Sequence, residues 1–263
     1  MAPARLAHSD EGPRGGTPFF LLHGSPTDRH VWDGPVGDLV SAGLRVVRPD
    51  LRGHGESPLG DGPSTVEAMA DDVLALADDL GIPRFLLGGF SFGGWVSMEI
   101  VRAHPERVLG LLLVSTGARP DTPKEKAGRG QQAAQLRGEG IRVDGYRDRV
   151  LTQDTLRNRP EVWQAARNSM AAVSAEGRAR AVEAMGSRSD FRPVLKGVRI
   201  PALVVAGAED PVTPPELARE IHGLIPGSFL QVVEGASHFV TLEAPGIVSQ
   251  AISNWLRFSA LID

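Results

Sequence analysis

The sequence predicts an α/β fold: a mostly parallel sheet with helices on both faces, interrupted late in the chain by an inserted helical lid. Three observations carry this. Short apolar runs alternate with segments of helical spacing from Thr17 to Val114, the rhythm of β-α-β units. That rhythm breaks near Ser115, no apolar strand appears from about Gly117 to Lys196, and strands resume at Ile200 to Gly207. The run Val108 to Val114 is apolar at nearly every position, as in a parallel strand covered on both faces. The expected division is a core of residues 1–116 and 197–263 with a lid (cap) over 117–196.

The totals set bounds. A chain of 263 residues fits one domain with an insertion. Hydrophobic content of 41% and charged content of 23% are ordinary for a globular protein. Cysteine is absent, which excludes disulfides, thiolate metal sites and a cysteine nucleophile. Met1 to Gly16 has no apolar segment and reads as neither signal peptide nor anchor. No apolar run approaches a membrane span, so the expected location is cytoplasmic. The net charge of −4 argues against general nucleic-acid binding. The expected partner is a small molecule, with no nucleic acid, membrane, cofactor or metal; oligomeric state is not encoded in any pattern here.

Residues 9–18, rich in Gly, Pro and charge, read as a turn. His8-Ser9-Asp10 sets three catalytic residue types side by side. Neighbours in an extended segment point to opposite faces, so this is coincidence. Thr17 to Leu22 is a short buried strand ending in His23-Gly24-Ser25-Pro26. His23 reads as a structural side chain bonded to its own loop. Trp32 to Val40 is a short helix with Trp32, Val36, Leu39 and Val40 on one face, and Leu44 to Arg48 is the next strand. In the turn-rich loop Pro49 to Ser57, His54 fills a tight turn between glycines, and Asp50 and Arg52 are expected to pair locally. Ser64-x-x-Glu67 reads as a capping box. A helix follows, with Val66, Ala70, Val73, Leu74, Ala77 and Leu80 at helical spacing, ended by Gly81.

Next comes the segment with the most chemical information. Phe85-Leu86-Leu87 feeds Gly88-Gly89-Phe90-Ser91-Phe92-Gly93-Gly94, and a helix-compatible run from Trp95 to Arg102 follows, stopping at His104-Pro105. Gly89-x-Ser91-x-Gly93 fits a nucleophile elbow, a serine at the tip of a strand–turn–helix. The strained turn needs neighbours without Cβ atoms. The helix N-terminus then aims backbone N–H groups at the serine. A glycine-rich phosphate-binding turn has similar spacing, so the remainder of the chain decides.

In the expected lid, Glu161 to Val173 and Ala175 to Met185 look helical. Arg119–Lys196 holds thirteen Arg and three Lys against ten Asp or Glu, a net +6 that leaves −10 elsewhere. Such a lid could steer an anionic substrate inward; a solvated helical surface has the same composition. After the strand Ile200 to Ala206 comes Gly207-Ala208-Glu209-Asp210-Pro211, then a helix from Glu216 to Leu224. The strand Phe229 to Val233 leads to Glu234-Gly235-Ala236-Ser237-His238, and a last helix runs from about Ala244 to Phe258.

Ser91, Asp210 and His238 therefore each follow a predicted strand, where α/β sheets place their sites. A hydroxyl is a poor nucleophile at neutral pH. His238 would take its proton and return it to the leaving group, and Asp210 would hold the imidazole. The backbone N–H groups of Ser25 and Phe92, from different loops, would bind the oxyanion. Glu209 is the rival acid. His222 reads as a surface helix residue and His104 as a helix-end residue.

These residues carry a resemblance. His23-Gly24, Asp50-Leu51-Arg52-Gly53-His54-Gly55-Glu56-Ser57, Gly89-Phe90-Ser91-Phe92-Gly93-Gly94, Gly207-Ala208-Glu209-Asp210 and Gly235-Ala236-Ser237-His238 are similar, in order, to the motifs of α/β-hydrolases. The turn Glu209 to Pro215 and the helix end His104-Pro105-Glu106-Arg107-Val108 resemble those of 3-oxoadipate enol-lactonases and their relatives. The resemblance implies the α/β-hydrolase fold, Asp210 as the acid, and a cofactor-independent serine hydrolase of a small carboxylic ester or lactone. The same triad is compatible with carbon–carbon bond hydrolysis, perhydrolysis, or cyclisation and acyl transfer in a biosynthetic pathway. A non-catalytic ligand-binding protein would need a damaged triad or elbow. Two departures bear on the expectation. The stretch before His23 is short, so the opening antiparallel strands are expected to be curtailed. The lid matches no lactonase residue by residue, which leaves the substrate open.

Overall fold

The computed structural model describes residues 2–140 and 142–262. Seven strands form one sheet in the order β1-β3-β2-β4-β5-β6-β7. They are β1 (His8–Glu11), β2 (Pro18–Leu22), β3 (Arg45–Pro49), β4 (Phe85–Phe90), β5 (Val108–Val114), β6 (Ala202–Gly207) and β7 (Phe229–Val233). β1 pairs antiparallel with β3; the other pairs are parallel.

The helices before the break are α1 (Asp33–Ser41), α2 (Val66–Asp79) and α3 (Phe92–Ala103). Between β5 and β6 lie α4 (Pro123–Glu139), α5 (Arg147–Val150), α6 (Gln153–Asn158), α7 (Pro160–Ala171), α8 (Ala175–Ser187) and α9 (Arg192–Gly197). The chain closes with α10 (Pro215–Leu224), α11 (Val240–Glu243) and α12 (Pro245–Phe258). Among the described residues no helix is long and apolar enough to cross a membrane.

Alternation along each strand builds the two faces of the core. Phe20, Leu22, Leu87, Leu111 and Leu113 pack with residues of α2, α3 and α10. Phe19, Leu21, Leu86, Leu112 and Val205 pack on the other face with residues of α1 and α12. Each such side chain, fully buried, contributes about 1.5–3 kcal/mol of transfer free energy. The doubly covered sheet expected from the apolar runs is the one formed.

Three local expectations are corrected. The turn expected over residues 9–18 gives way in part to β1, which supplies one antiparallel strand at the sheet edge. Its side chains are polar because Arg45 donates two hydrogen bonds to Asp10 and Arg48 donates to Ser9. Hydrophobic alternation therefore had nothing to mark. The cap of α2 is Thr65, which accepts from the Ala68 N–H at 3.1 Å, rather than Ser64. Asp50 and Arg52 do not pair with each other. Asp50 pairs with Arg29, and Arg52 with Asp72 on α2, so the loop is tied to two distant segments.

The break after β5 is longer in helix than the sequence suggests. α4 was not expected, because only Ala133 of its seventeen residues is buried. A helix polar nearly all round has no apolar stripe to read. It is held on α8 by a small apolar contact around Ala133, Ala179 and Val182 and by Arg137 pairing with Glu176 and Glu183. Its legible signal was the capping box Thr122-Pro123-Lys124-Glu125, present with both reciprocal bonds.

Candidate active site

Ser91 stands between β4 and α3 with φ 51° and ψ −113°, a conformation costing a residue with a Cβ about 1–3 kcal/mol. The flanking glycines let this turn form. A Cβ on Gly93 would lie 2.5 Å from the carbonyl oxygens of Leu22 and His23, and one on Gly89 would strike the Gly93 carbonyl. Val114 and Thr116 hold the turn from β5. The Ser91 N–H donates to the Val114 carbonyl at 2.8 Å, and the Thr116 hydroxyl donates to the Ser91 carbonyl at 2.8 Å.

The structure brings Ser91, His238 and Asp210 together from three loops. Ser91 Oγ lies 3.1 Å from His238 Nε2, and His238 Nδ1 lies 2.8 Å from Asp210 Oδ2. The carboxylate beside Nδ1 sets the tautomer: Nδ1–H donates to Asp210, and Nε2 accepts from the serine hydroxyl. Asp210 also accepts from the Val212 and Thr213 N–H groups and from the Thr213 hydroxyl at 2.6 Å. Burial pushes the Asp210 carboxyl upward, but the charge and hydrogen bond of His238 and the bonds from Thr213 outweigh it and hold it below the ordinary carboxylate range. Asp210 is therefore an anion at neutral pH. Glu209 does not reach the histidine; its N–H donates to the Ala236 carbonyl.

Ser25 lines the same cavity as Ser91, and Phe92 follows Ser91 in the chain. Phe92 is the first residue of α3, so its N–H has no intrahelical acceptor. Among the described residues no acceptor takes the Ser25 N–H. The Ser25 loop rests on two buried histidines. His23 Nε2 accepts from the Leu51 N–H at 2.8 Å and its Nδ1–H donates to the Gly24 carbonyl at 2.7 Å. His54 donates from Nδ1 to the Arg52 carbonyl and accepts from the Ser25 hydroxyl at 3.2 Å. Burial pushes His23 down to about 4, and burial with the neighbouring His23 pushes His54 down to about 3. Both rings are neutral and structural. His222 and His104 lie away from the site, bonded to Ser228 and Glu106.

Several contacts around the site had no sequence signal. Glu243 of α11 is buried, and its carboxylate accepts from the Thr152 N–H and hydroxyl and from the Ser237 N–H at 2.6 Å. It thereby ties the histidine loop to the segment between α5 and α6. Thr213 was more legible, since Asp-x-x-Thr at a strand end favours such a side-chain-capped turn. Ser91 and His238 open into a cavity of about 500 Å³ walled by the α4 and α8 residues Arg129, Gln132, Arg178 and Val182 and by Arg188 just past α8. Among the described residues no cluster of His, Asp and Glu is arranged to hold a metal.

Residues 19–251 match the alpha/beta hydrolase family model. The chain belongs to the alpha/beta hydrolase family, the fold class its strand order and elbow also describe. It is an enzyme of the hydrolase class that includes the following relatives. It is 38% identical to a thermophilic esterase from Thermogutta terrifontis, solved with malate bound, with a TM-score of 0.93 over 97% of this chain and 94% of that one. It is 32% identical to the enol-lactonase from Burkholderia xenovorans, with a TM-score of 0.87 over 97% of each chain. It is 34% identical to 3-oxoadipate enol-lactonase 2 of Acinetobacter baylyi over 214 residues, 79% of this chain and 76% of that protein.

Proposed function

We propose that the protein hydrolyses small carboxylic esters or lactones through Ser91, His238 and Asp210. The observation that carries this is the hydrogen-bonded relay itself, 3.1 Å and 2.8 Å long, starting at a serine on a strained turn. Ser91 Oγ attacks the carbonyl carbon while its proton passes to His238 Nε2. Asp210 stabilises the imidazolium without taking the proton. The tetrahedral oxyanion is met by the Ser25 and Phe92 N–H groups, each such donor contributing about 2.7–4 kcal/mol. On collapse the C–O bond breaks, His238 protonates the leaving oxygen and an acyl-enzyme remains. Water then attacks with His238 as base, and the acid departs with Ser91 restored.

Residues 117–196 act as the lid in this reading, because they wall the cavity above the serine. The named substrates of the relatives, an enol-lactone and esters, support the ester or lactone class. The malate held by the Thermogutta esterase suits a pocket lined with arginine. Hydrolysis of p-nitrophenyl acetate tests the proposal. The wild type should release p-nitrophenol and Ser91→Ala should lose at least about 10³-fold in kcat. Equal, slow release by both proteins would reject it.

A further inference from the structure

One arginine in the cavity wall differs from its neighbours. Arg119 is paired with Glu220, and Arg129 and Arg188 share Asp121 at 2.7 and 2.5 Å. Arg149 is exposed, where water serves it. Arg178 has no acid and almost no water. It is 4% exposed, its one polar side-chain neighbour is the Tyr146 hydroxyl, its Nε and Nη1 have no hydrogen-bond partner among the described residues, and no acidic side chain pairs with it. Its guanidinium lies 4.4 Å from the centre of the Tyr146 ring. That contact orients the cation but leaves the Nε and Nη1 donors, which lie at the guanidinium edge, unserved. A guanidinium does not lose its proton to escape such a setting, and an uncompensated buried charge is costly.

Its place is held firmly. A Cβ on the preceding Gly177 would strike the Gly53 carbonyl oxygen, so the first turn of α8 sits directly on the loop that carries His54. His54 in turn holds Ser25. Arg178 therefore projects from a fixed backbone into the same cavity as Ser91 and Ser25.

We propose that Arg178 is an anion anchor, pairing with a carboxylate that the substrate carries away from its scissile carbonyl. The pocket would thus take esters or lactones of dicarboxylic acids, an assignment that rests on the hydrolase reading above.

The test compares p-nitrophenyl hydrogen glutarate with p-nitrophenyl pentanoate, equal in acyl length but differing by one carboxylate. Wild type should favour the glutarate in kcat/KM by about 10- to 100-fold, the range of a charge-assisted hydrogen bond. The preference should survive about 0.5 M NaCl, because a buried pair is screened little. It should vanish in Arg178→Met and return in part in Arg178→Lys. Removing a buried charge with no acidic partner should also leave the Tm of Arg178→Met at or above that of wild type. Calorimetry with glutarate on Ser91→Ala reads the anchor without chemistry, and Arg178→Met in that background should weaken binding at least about 10-fold. No preference in wild type, a preference abolished by salt, an unchanged ratio in Arg178→Met, or a fall in its Tm would each overturn the anchor. If neither ester is cleaved yet glutarate binds through Arg178, the hydrolase reading fails and the anchor stands.

Discussion

Lowering the pH from about 7 to about 5 tests how the Ser25 loop is held. His23 and His54 are fully buried with rings 5.0 Å apart. Each uses a ring nitrogen as acceptor, from the Leu51 N–H and the Ser25 hydroxyl. Protonation would charge a desolvated ring and set N–H against a donor. Both folded values, about 4 and about 3, lie below the unfolded value of about 6.5. The unfolded chain therefore binds these protons first. The stabilisation is full above about pH 6.5 and is lost as pH falls toward the folded values. Each ring contributes a slope of about 1.4 kcal/mol per pH unit in that window, about 2.7 for the two. Across the whole window His23 accounts for about 3 kcal/mol and His54 for about 5. Urea unfolding at about pH 7, 6 and 5 measures the slope, and His54→Gln should reduce it by about half of the pair's share. NMR should show neither ring titrating in the folded state down to about pH 5. Identical slopes in wild type and His54→Gln, or a ring signal titrating near the ordinary histidine range, would refute the assignment of neutral buried rings.

Two further outcomes follow from the same geometry. Asp210→Asn removes the anion at His238 Nδ1 and allows the wrong tautomer, so kcat on p-nitrophenyl acetate should fall by about 10⁴ while the protein stays folded. Glu243→Gln turns an amide N–H toward the Ser237 or Thr152 donors that the carboxylate now serves. It should cost about 1–3 kcal/mol in urea unfolding and lower kcat more than it raises KM, since the histidine loop loses its tie.

The sheet was legible where strands are apolar on both faces. Val108–Val114 and Ala202–Gly207 lie where the runs of hydrophobic residues place them. β1 was not, because an edge strand pinned by Arg45 and Arg48 needs no apolar alternation. α4 was hidden for the opposite reason from a buried helix: it packs by charge pairs and two or three small residues. The grouping of Ser91, Asp210 and His238 was legible because each follows a strand, and Gly89 and Gly93 mark a turn that crowds out a Cβ. Arg178 and Glu243 were not legible. Their roles depend on what surrounds them, a missing acid in one case and three donors in the other, and burial of that kind leaves no local pattern. The charge excess of the 119–196 segment was visible as a sum. Which arginine lacks a partner is a property of three-dimensional pairing.

Covalent labelling tests the central claim most directly. A fluorophosphonate should phosphonylate the protein once, with the added mass on the peptide containing Ser91. Labelling should drop sharply in His238→Ala, which lacks the base that activates the hydroxyl. Labelling at another serine, or a rate unchanged by loss of His238, would contradict the assignment of Ser91 as an activated nucleophile.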